Sequence, residues 1–525
     1  MLTEREKPQR SQVLSRRSLL KNSSGILLGR IIAITVALIS VPIVVDRLDV
    51  VGYGTWESII AVSTISNIFQ STISGTLLWK ISGAYGADDL DSVRQYLGVG
   101  ILFSLLGFFI VTPLAWVGRD LLIHLFQVPE QFRRTASIVL PCVVGLMTLG
   151  SVNEVIAALI AGFQESGISA FIHASSMTCN SLAVIACLFL GFEFWSLLIG
   201  FAVGFITYGV GLYARARHIF SSFSLVPLLP RKAILQGTMS YAGFMLLGAV
   251  SIALRDQTDK IVLSSAASPV LTGYFSIAAR LSSVLLVICS FVYVPTIAAA
   301  AAMHSRSDWP GLQRLYTDVM TVLALTVGLS IALISALYDR LIILWVGRSI
   351  PEVGTMLYFL VAGTAVAVLV TGTGSSVCKG IGIIWLETIY ILVGLILNLI
   401  LKVTLVLWIG AIGTVISSAT SWAIASVVFI VLLHKNTQLP VTGTIRGIKG
   451  LLLGAACAFC GRWLSHQIPL ESSRFSALVS TVELATIITV LFLTAMVLFR
   501  GLSISAIATG ARFIRTTFSG MTSRL

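Results

Sequence analysis

The chain has 525 residues, of which 56% are hydrophobic and only 11% are charged, and its mean hydropathy is +0.96. A soluble domain normally carries about 25% charged residues, so this composition excludes a soluble protein and indicates an integral membrane protein. The formal net charge of +13 does not indicate nucleic-acid binding, because the basic residues are spread over many short loops instead of one soluble face.

Long apolar segments recur along the whole chain, and a membrane-spanning helix needs about 20 mostly apolar residues. We therefore predict about fourteen transmembrane helices, in groups of six, six and two. The first group is 26–45, 55–79, 97–117, 136–163, 170–190 and 195–213; the second is 234–263, 273–300, 319–337, 356–377, 383–408 and 412–433; the terminal pair is 448–465 and 477–499.

Two stretches of sequence occur twice, roughly 220 residues apart. VVGYGTWESIIAVS around Gly52 is similar to VLTGYFSIAARLS around Gly273, and GRDLLIHLFQVPE from Gly118 is similar to YDRLIILWVGRSIPE from Tyr338. The repeat predicts two similar lobes with a substrate site between them that is exposed alternately to each side of the membrane, a frequent plan of secondary transporters. An even number of spans in each lobe gives the copies the same orientation, related by a pseudo-two-fold axis along the membrane normal.

The predicted fold is thus all-α, with two six-helix lobes and a C-terminal helix pair. We assign residues 1–21 to a basic cytoplasmic tail, 22–217 to the N-lobe, 218–233 to an inter-lobe loop, 234–434 to the C-lobe, 435–500 to the helix pair and 501–525 to a second basic tail. Basic residues before the first span and in every second loop outnumber those in the alternate loops by about two to one, which predicts cytoplasmic termini. The short segments 120–128 and 339–346 are predicted to be interfacial helices on the outer face.

Several signatures of catalysis are missing from the sequence. The seven cysteines have no spacing suited to zinc, and there is no GxxxxGK[ST] loop that would bind a nucleotide phosphate. Large outer loops that could hold an active site are also lacking. We therefore predict a protein that is not an enzyme and has no cofactor or metal.

Ionisable side chains within the spans are the best candidates for function, because a charge at the bilayer centre costs at least about 2.5 kcal/mol and normally faces a partner or a wet cavity. On the eleventh span, Glu387, Gly394, Asn398 and Lys402 recur at helical spacing and share one face. Either this polar stripe faces the interior of the bundle, or Glu387 and Lys402 lie near opposite ends of the helix and extend to the headgroups.

The seventh span carries four charges that sum to zero. Arg255 with Asp259, and Asp256 with Lys260, are both spaced i, i+4, so they can neutralise one another along the helix. They form either a structural ion network or a gate or proton-linked site that rearranges between two states.

Arg30 and Arg280 have no acidic residue one turn away along the helix, and an unpaired guanidinium in a transporter interior can bind phosphate bidentately. Glu57 in the first copy occupies nearly the same position as Arg280 in the second. The two could face each other as a salt bridge or a gate. For the arginines, substrate binding and ion pairing with Glu57 or Glu154 are the alternatives.

The opening KNSSGILLGRIIAITVALISVPIVVDRLDVVGYGTWESI resembles the first two spans of polysaccharide (O-antigen type) flippases of the multidrug/oligosaccharidyl-lipid/polysaccharide exporter (MOP) superfamily. DQTDKIVLSSAASPVLTGYFSIAARL, followed by Pro295, resembles their seventh and eighth spans. The Asn398 helix followed by WIGAIGTVISSA is a further match. The resemblance covers roughly residues 21–433.

That family implies two six-helix lobes around a central cavity, and movement of an undecaprenyl-diphosphate-linked oligosaccharide across the bacterial cytoplasmic (inner) membrane for polysaccharide or exopolysaccharide biosynthesis. A basic cavity for the diphosphate and the sugar headgroup would fit Arg30, Arg280 and Lys402, with Asn398 beside them. The candidates for gating, or for coupling to a proton or sodium gradient, are Glu57, Glu154, Arg255, Asp256, Asp259, Lys260 and Glu387. The expected partners are the lipid-linked substrate, membrane lipid, and a polysaccharide polymerase with its assembly proteins; the protein is expected to act as a monomer.

Two other functions stay open at this stage. A drug/cation antiporter of the same superfamily would need an acidic or aromatic cavity, whereas three of the candidate cavity residues are basic. A membrane-embedded glycosyltransferase or polysaccharide polymerase belongs to a different class and would need the outer active-site loops that the sequence lacks.

Overall fold

The computed structural model describes residues 16–163, 165–226, 231–293, 296–347, 349–383, 385–467 and 474–498. All regular elements in these ranges are helical, which confirms the predicted all-α architecture. The basic tails predicted at 1–21 and 501–525 lie wholly or mostly outside the described residues, and so do Pro295 and the side chains of Arg30, Arg255 and Asp256.

The helices follow one another with short connections. Their bounds are α1 Arg16–Ser63, α2 Asn67–Gly86, α3 Leu90–Leu125, α4 Glu130–Gly162, α5 Ser166–Phe189, α6 Trp195–Ile219, α7 Lys232–Ala266, α8 Pro269–Tyr293, α9 Thr296–Ser305, α10 Trp309–Val346, α11 Pro351–Ala367, α12 Thr373–Gly380, α13 Trp385–Ile409, α14 Ile412–Asn436, α15 Val441–Gln467 and α16 Arg474–Leu498. A 3-10 turn, Thr64–Ser66, precedes α2, and a π-helical segment, Val368–Gly372, joins α11 to α12.

Within the described residues, eleven helical segments are long and apolar enough to cross a membrane. The predicted first, second and seventh spans lie on α1, on α1 together with α2, and on α7. Helix α1 is interrupted at Asp49, whose φ of 57° and ψ of 169° are not helical, a conformation that is uncommon for a residue other than glycine. The interruption falls between the first and second predicted spans.

The two segments predicted to be interfacial helices are instead the last turns of longer helices. Residues 120–125 continue α3, and residues 339–346 continue α10. The prediction was wrong because neither segment contains a proline or glycine that would end a helix earlier. Helix α10 stops only at Gly347, whose φ of 88° provides a left-handed cap.

The beginnings of α3 and α10 display the repeat in the structure. Asp89 Oδ1 accepts a hydrogen bond from the Ser92 N–H at 3.0 Å, and Asp308 Oδ1 accepts one from the Gly311 N–H at 2.9 Å. The hydrogen bond from the Ser92 hydroxyl, together with that from its N–H, lowers the pKa of the Asp89 carboxyl. Both helices therefore start with the same carboxylate cap, roughly 220 residues apart like the sequence motifs.

The chain forms two compact units, Met1–Gly273 and Tyr274–Leu525. In the first unit α7 packs against α1 and α2, so the division falls later in the chain than the inter-lobe loop expected at residues 218–233. The predicted domain boundaries stay a prediction.

In the second unit, small residues let α10 approach α15 closely. A Cβ added at Gly454 would lie 2.4 Å from the carbonyl oxygen of Gly328, a spacing that only glycine tolerates, and such small-residue contacts are typical of membrane helix pairs. Arg340 of α10 is 1% exposed and binds both terminal helices: Nη1 donates to Ser480 Oγ at 2.9 Å, and Nη2 donates to the Ser465 carbonyl at 3.2 Å. The terminal helix pair is therefore an integral part of this unit.

Candidate functional site

Helices α1 and α7 are joined by a buried ion pair within the first unit. Lys260 Nζ of α7 lies 2.7 Å from Glu57 Oε2 of α1, and the Glu57 residue is only 3% exposed. Removing two charges from water is costly, so such a pair persists only when both partners are held in place. The sequence suggested Asp256 as the partner of Lys260; the structure shows a partner 203 residues away along the chain.

Hydroxyl and backbone contacts surround this ion pair. The Ser264 hydroxyl donates to Ser58 Oγ at 2.8 Å. A Cβ on Gly54 would lie 1.7 Å from the Pro269 carbonyl oxygen, and a Cβ on Gly273 would lie 2.9 Å from that of Val50. The two glycines come from the two copies of the repeated motif and are required here because the backbones touch.

Asp259, one residue before Lys260, is 6% exposed. The side chains of Arg255 and Asp256 lie outside the described residues, so the predicted i, i+4 network on α7 stays a prediction.

The polar stripe on α13 is confirmed as a buried face. Gly394, Asn398 and Lys402 are buried, and Asn398 Nδ2 donates to Ser418 Oγ at 2.8 Å and to Ser421 Oγ at 3.2 Å on α14. Asn398 and Lys402 are at most 3% exposed, so the Lys402 side chain does not reach the surface, as the headgroup alternative would require.

Gly394 fits beneath a ring of α14. A Cβ there would lie 2.3 Å from Trp422. Glu387, at the start of the stripe, forms an ion pair with Lys379 of α12 at 2.9 Å and is about one-fifth exposed. The stripe thus joins α13 to its neighbours, which is a packing role; its role in substrate binding or coupling stays a prediction.

The two arginines proposed to bind phosphate lie on different helices. Arg30 is part of α1, with its side chain outside the described residues. Arg280 is on α8 and is partly exposed, and its carbonyl accepts a hydrogen bond from the Ser283 hydroxyl at 2.6 Å. Of the basic candidates with a described side chain, Arg280 is therefore more accessible than Lys402.

Glu154 of α4 contacts Tyr208, which in turn contacts His173; the sequence analysis missed both of these aromatic residues. The Tyr208 hydroxyl of α6 donates to Glu154 Oε1 at 3.4 Å, and the Tyr208 ring meets the His173 ring of α5 edge to face, with centroids 5.2 Å apart. A histidine within an apolar span was the available signal, since ionisable residues in membrane helices normally face a cavity or a partner.

Comparison with known proteins finds helical membrane transporters of the same fold. Residues 32–188 match the family model MatE, which covers less than half of the chain. The chain is similar in structure to the lipid II flippase MurJ in an inward closed conformation, with a TM-score of 0.69, 13% identity, and 91% of this chain and 98% of that chain covered.

Transporters of the MATE family are similar as well. An inward-facing multidrug resistance MATE transporter of the MOP superfamily gives a TM-score of 0.59 at 14% identity, covering 80% of this chain and 97% of that chain. A MATE transporter of Vibrio cholerae gives 0.57 at 14% identity, covering 82% and 98%. A search of curated protein sequences gives no match.

The chain therefore contains a MatE region and has the fold of the MOP superfamily, which confirms the predicted superfamily resemblance. At these identities the similarity establishes the fold alone.

Proposed function

We propose that this protein is a transporter that flips a polyprenyl-diphosphate-linked oligosaccharide across the bacterial cytoplasmic membrane by alternating access. The observation that carries the proposal is the fold shared with a lipid II flippase over 91% of the chain. That TM-score of 0.69 exceeds the values of 0.59 and 0.57 for the two MATE transporters above. Cytoplasmic termini and a polymerase as partner are part of the same proposal.

Arg30 and Arg280 are proposed to hold the diphosphate, because a guanidinium can donate two hydrogen bonds to one phosphate group. Replacing either arginine by Ala should abolish polymer export while the protein remains inserted and abundant. The matched control is Arg462→Ala in the second unit, where the guanidinium is already engaged by Asp339 Oδ2 at 2.6 Å and by the Tyr338 hydroxyl at 3.0 Å. Normal export from both the Arg30 and Arg280 variants would remove the assignment.

The contacts between α1 and α7 are proposed to form a gate. α1 belongs to the first copy of the repeat and α7 to the second, although both lie in the first compact unit, so a movement of one copy against the other would separate them. Glu57–Lys260 and Ser58–Ser264 are the bonds that would break. Both are polar, so water can satisfy the groups when they part.

Coupling to an ion gradient is assigned to the acidic candidates Glu57, Glu154, Asp256, Asp259 and Glu387. Dissipating the proton and the sodium gradients separately in proteoliposomes would identify the coupling ion. Unaltered accumulation under both conditions would show that transport is uncoupled.

The function is tested by identifying what accumulates without the protein. Deletion should cause an undecaprenyl-diphosphate-linked oligosaccharide to build up on the inner leaflet, and purified protein in proteoliposomes should flip that lipid. If neither occurs, the flippase assignment is wrong.

A drug/cation antiporter is the second candidate, and one observation favours it. Glu154, Tyr208 and His173 combine a carboxylate with aromatic rings, which is the chemistry that binds organic cations. This function would instead make deletion strains sensitive to cationic compounds, without accumulation of a lipid-linked sugar.

A further inference from the structure

Glu154, His173 and Tyr208 lie on three consecutive helices of the first unit, on faces directed away from the apolar exterior. On α6, the exposed residues Ile206, Val210 and Tyr213 share one side. Tyr208 is about 200° around the helix from Ile206, at 100° per residue, and so lies on the opposite side.

The same geometry holds for His173 on α5. Phe171, Leu182 and Phe189 are exposed apolar residues that share one face. His173 is also exposed, but it lies about 200° around the helix from Phe171. Exposure on the inner face means that the imidazole borders open space inside the unit.

Glu154 completes this inner surface on α4. Ile138 marks the exposed apolar side of the helix, and Glu154 lies about 160° away from it, at 100° per residue. Like Tyr208, it is partly exposed. Three polar side chains from three helices thus meet on one interior surface.

The contact between Tyr208 and Glu154 is long, which leaves the carboxylate available to a ligand. A normal O–H···O hydrogen bond measures about 2.7–2.8 Å, whereas Tyr208 Oη and Glu154 Oε1 are 3.4 Å apart. The Tyr208 hydroxyl also bonds to Ser169, so the Glu154 carboxylate is the group that can turn to a stronger partner. One turn earlier on α4, the Gln70 amide nitrogen donates to the Met147 carbonyl and would lie 3.1 Å from a Cβ added at Gly150, so an amide group lies beside the same surface.

The chemistry of this surface suits a neutral ligand with many hydroxyl groups. A carboxylate accepts hydrogen bonds from two neighbouring hydroxyls, a phenol and an imidazole donate or accept, and aromatic rings cover the apolar face of a sugar. A phosphate would be repelled by Glu154. A sodium ion would find too few oxygen ligands, because an imidazole and a ring are not ligands that it prefers.

We propose that Glu154, His173 and Tyr208 form a carbohydrate-binding subsite that holds the sugar headgroup of the transported lipid, apart from the arginines that hold its diphosphate. This inference rests on the proposed flippase function. It assigns Tyr208 and His173 roles that the fold alone does not give them.

The test compares two lipids that differ only in the sugar. The probes are undecaprenyl diphosphate and the lipid-linked oligosaccharide extracted from cells that lack the protein, each titrated against purified full-length protein in nanodiscs by native mass spectrometry. The variants are Tyr208→Phe, Glu154→Gln and His173→Ala. The matched control is Tyr213→Phe, which removes the same hydroxyl from the lipid-facing side of the same helix.

Each site variant should weaken binding of the sugar-bearing lipid by about tenfold, the effect of losing one hydrogen bond to a ligand. Binding of undecaprenyl diphosphate should change less than twofold, and Tyr213→Phe should change neither. Equal losses for both lipids, or no loss for either, would overturn the subsite while leaving the flippase function intact. If sugar binding is unchanged but transport in proteoliposomes no longer depends on the ion gradient, the subsite is wrong and the three residues act in coupling instead. Failure of the unmodified protein to bind either lipid would remove the proposed function and the subsite with it.

Discussion

Lys260 and Lys402 are both lysines in long apolar helices, yet the structure places them in different kinds of contact. Lys260 forms its ion pair with Glu57, on a helix 203 residues earlier in the chain. Lys402 lies on the buried face of α13, whose stripe contacts α14, the next helix along the chain. Neighbouring helices of one hairpin can move together, whereas α1 and α7 belong to different copies of the repeat. The first contact is therefore suited to opening during transport and the second to holding a hairpin together.

The sharpest test of this difference is to prevent α1 and α7 from separating. In a background without the native cysteines, the pair Ser58→Cys and Ser264→Cys should form a disulfide under oxidising conditions, because the native hydroxyl oxygens are 2.8 Å apart. Transport should fall to the level of empty proteoliposomes and return on addition of reductant. Each single cysteine variant is the control, and full activity of the cross-linked protein would show that this contact does not open.

A glycine substitution should disrupt the neighbouring contact between α1 and α8. Gly54→Ala places a Cβ 1.7 Å from the Pro269 carbonyl oxygen, so α1 and α8 must move apart, at a cost of about 3 kcal/mol or more. The matched control is Gly83→Ala on α2, where nothing lies within 4 Å of the added Cβ. That variant should be neutral or slightly stabilising, because alanine is the better helix former. Thermal unfolding in detergent measures both, and equal melting temperatures would contradict the close contact.

Neutralising each charge, and then exchanging the two, tests the ion pair itself. Glu57→Gln and Lys260→Met should each lower the free energy of unfolding by about 1–3 kcal/mol, because one buried charge loses its partner while Lys260 remains partly hydrated. The exchange of both, Glu57→Lys with Lys260→Glu, should recover more than half of that loss. If the exchanged variant loses as much free energy of unfolding as the two single variants together, the two charges are not coupled.

Some of this arrangement follows from the sequence, and some depends on the three-dimensional fold. The α13 stripe could be predicted because helical periodicity alone places Gly394, Asn398 and Lys402 on one face. The partner of Lys260 could not, because local spacing favours Asp256 and carries no information on a residue 203 positions away. Tyr208 was missed for a related reason: a tyrosine in an apolar span is ordinary until its neighbours and its face of the helix are known.

The smallest effect should come from the α13–α14 hairpin. Asn398→Ala removes two hydrogen bonds to Ser418 and Ser421, at 2.8 and 3.2 Å, and should lower the free energy of unfolding by about 1 kcal/mol. Because Asn398 is buried against α14, transport per folded molecule should be retained when activity is normalised to folded protein. Ser426→Ala on α14 is the control, since among the described residues its hydroxyl bonds to the Trp422 carbonyl of its own helix, at 2.7 Å. A variant with the native melting temperature and no transport would instead place Asn398 among the substrate-binding residues, and would mean that α13 and α14 separate to admit the headgroup.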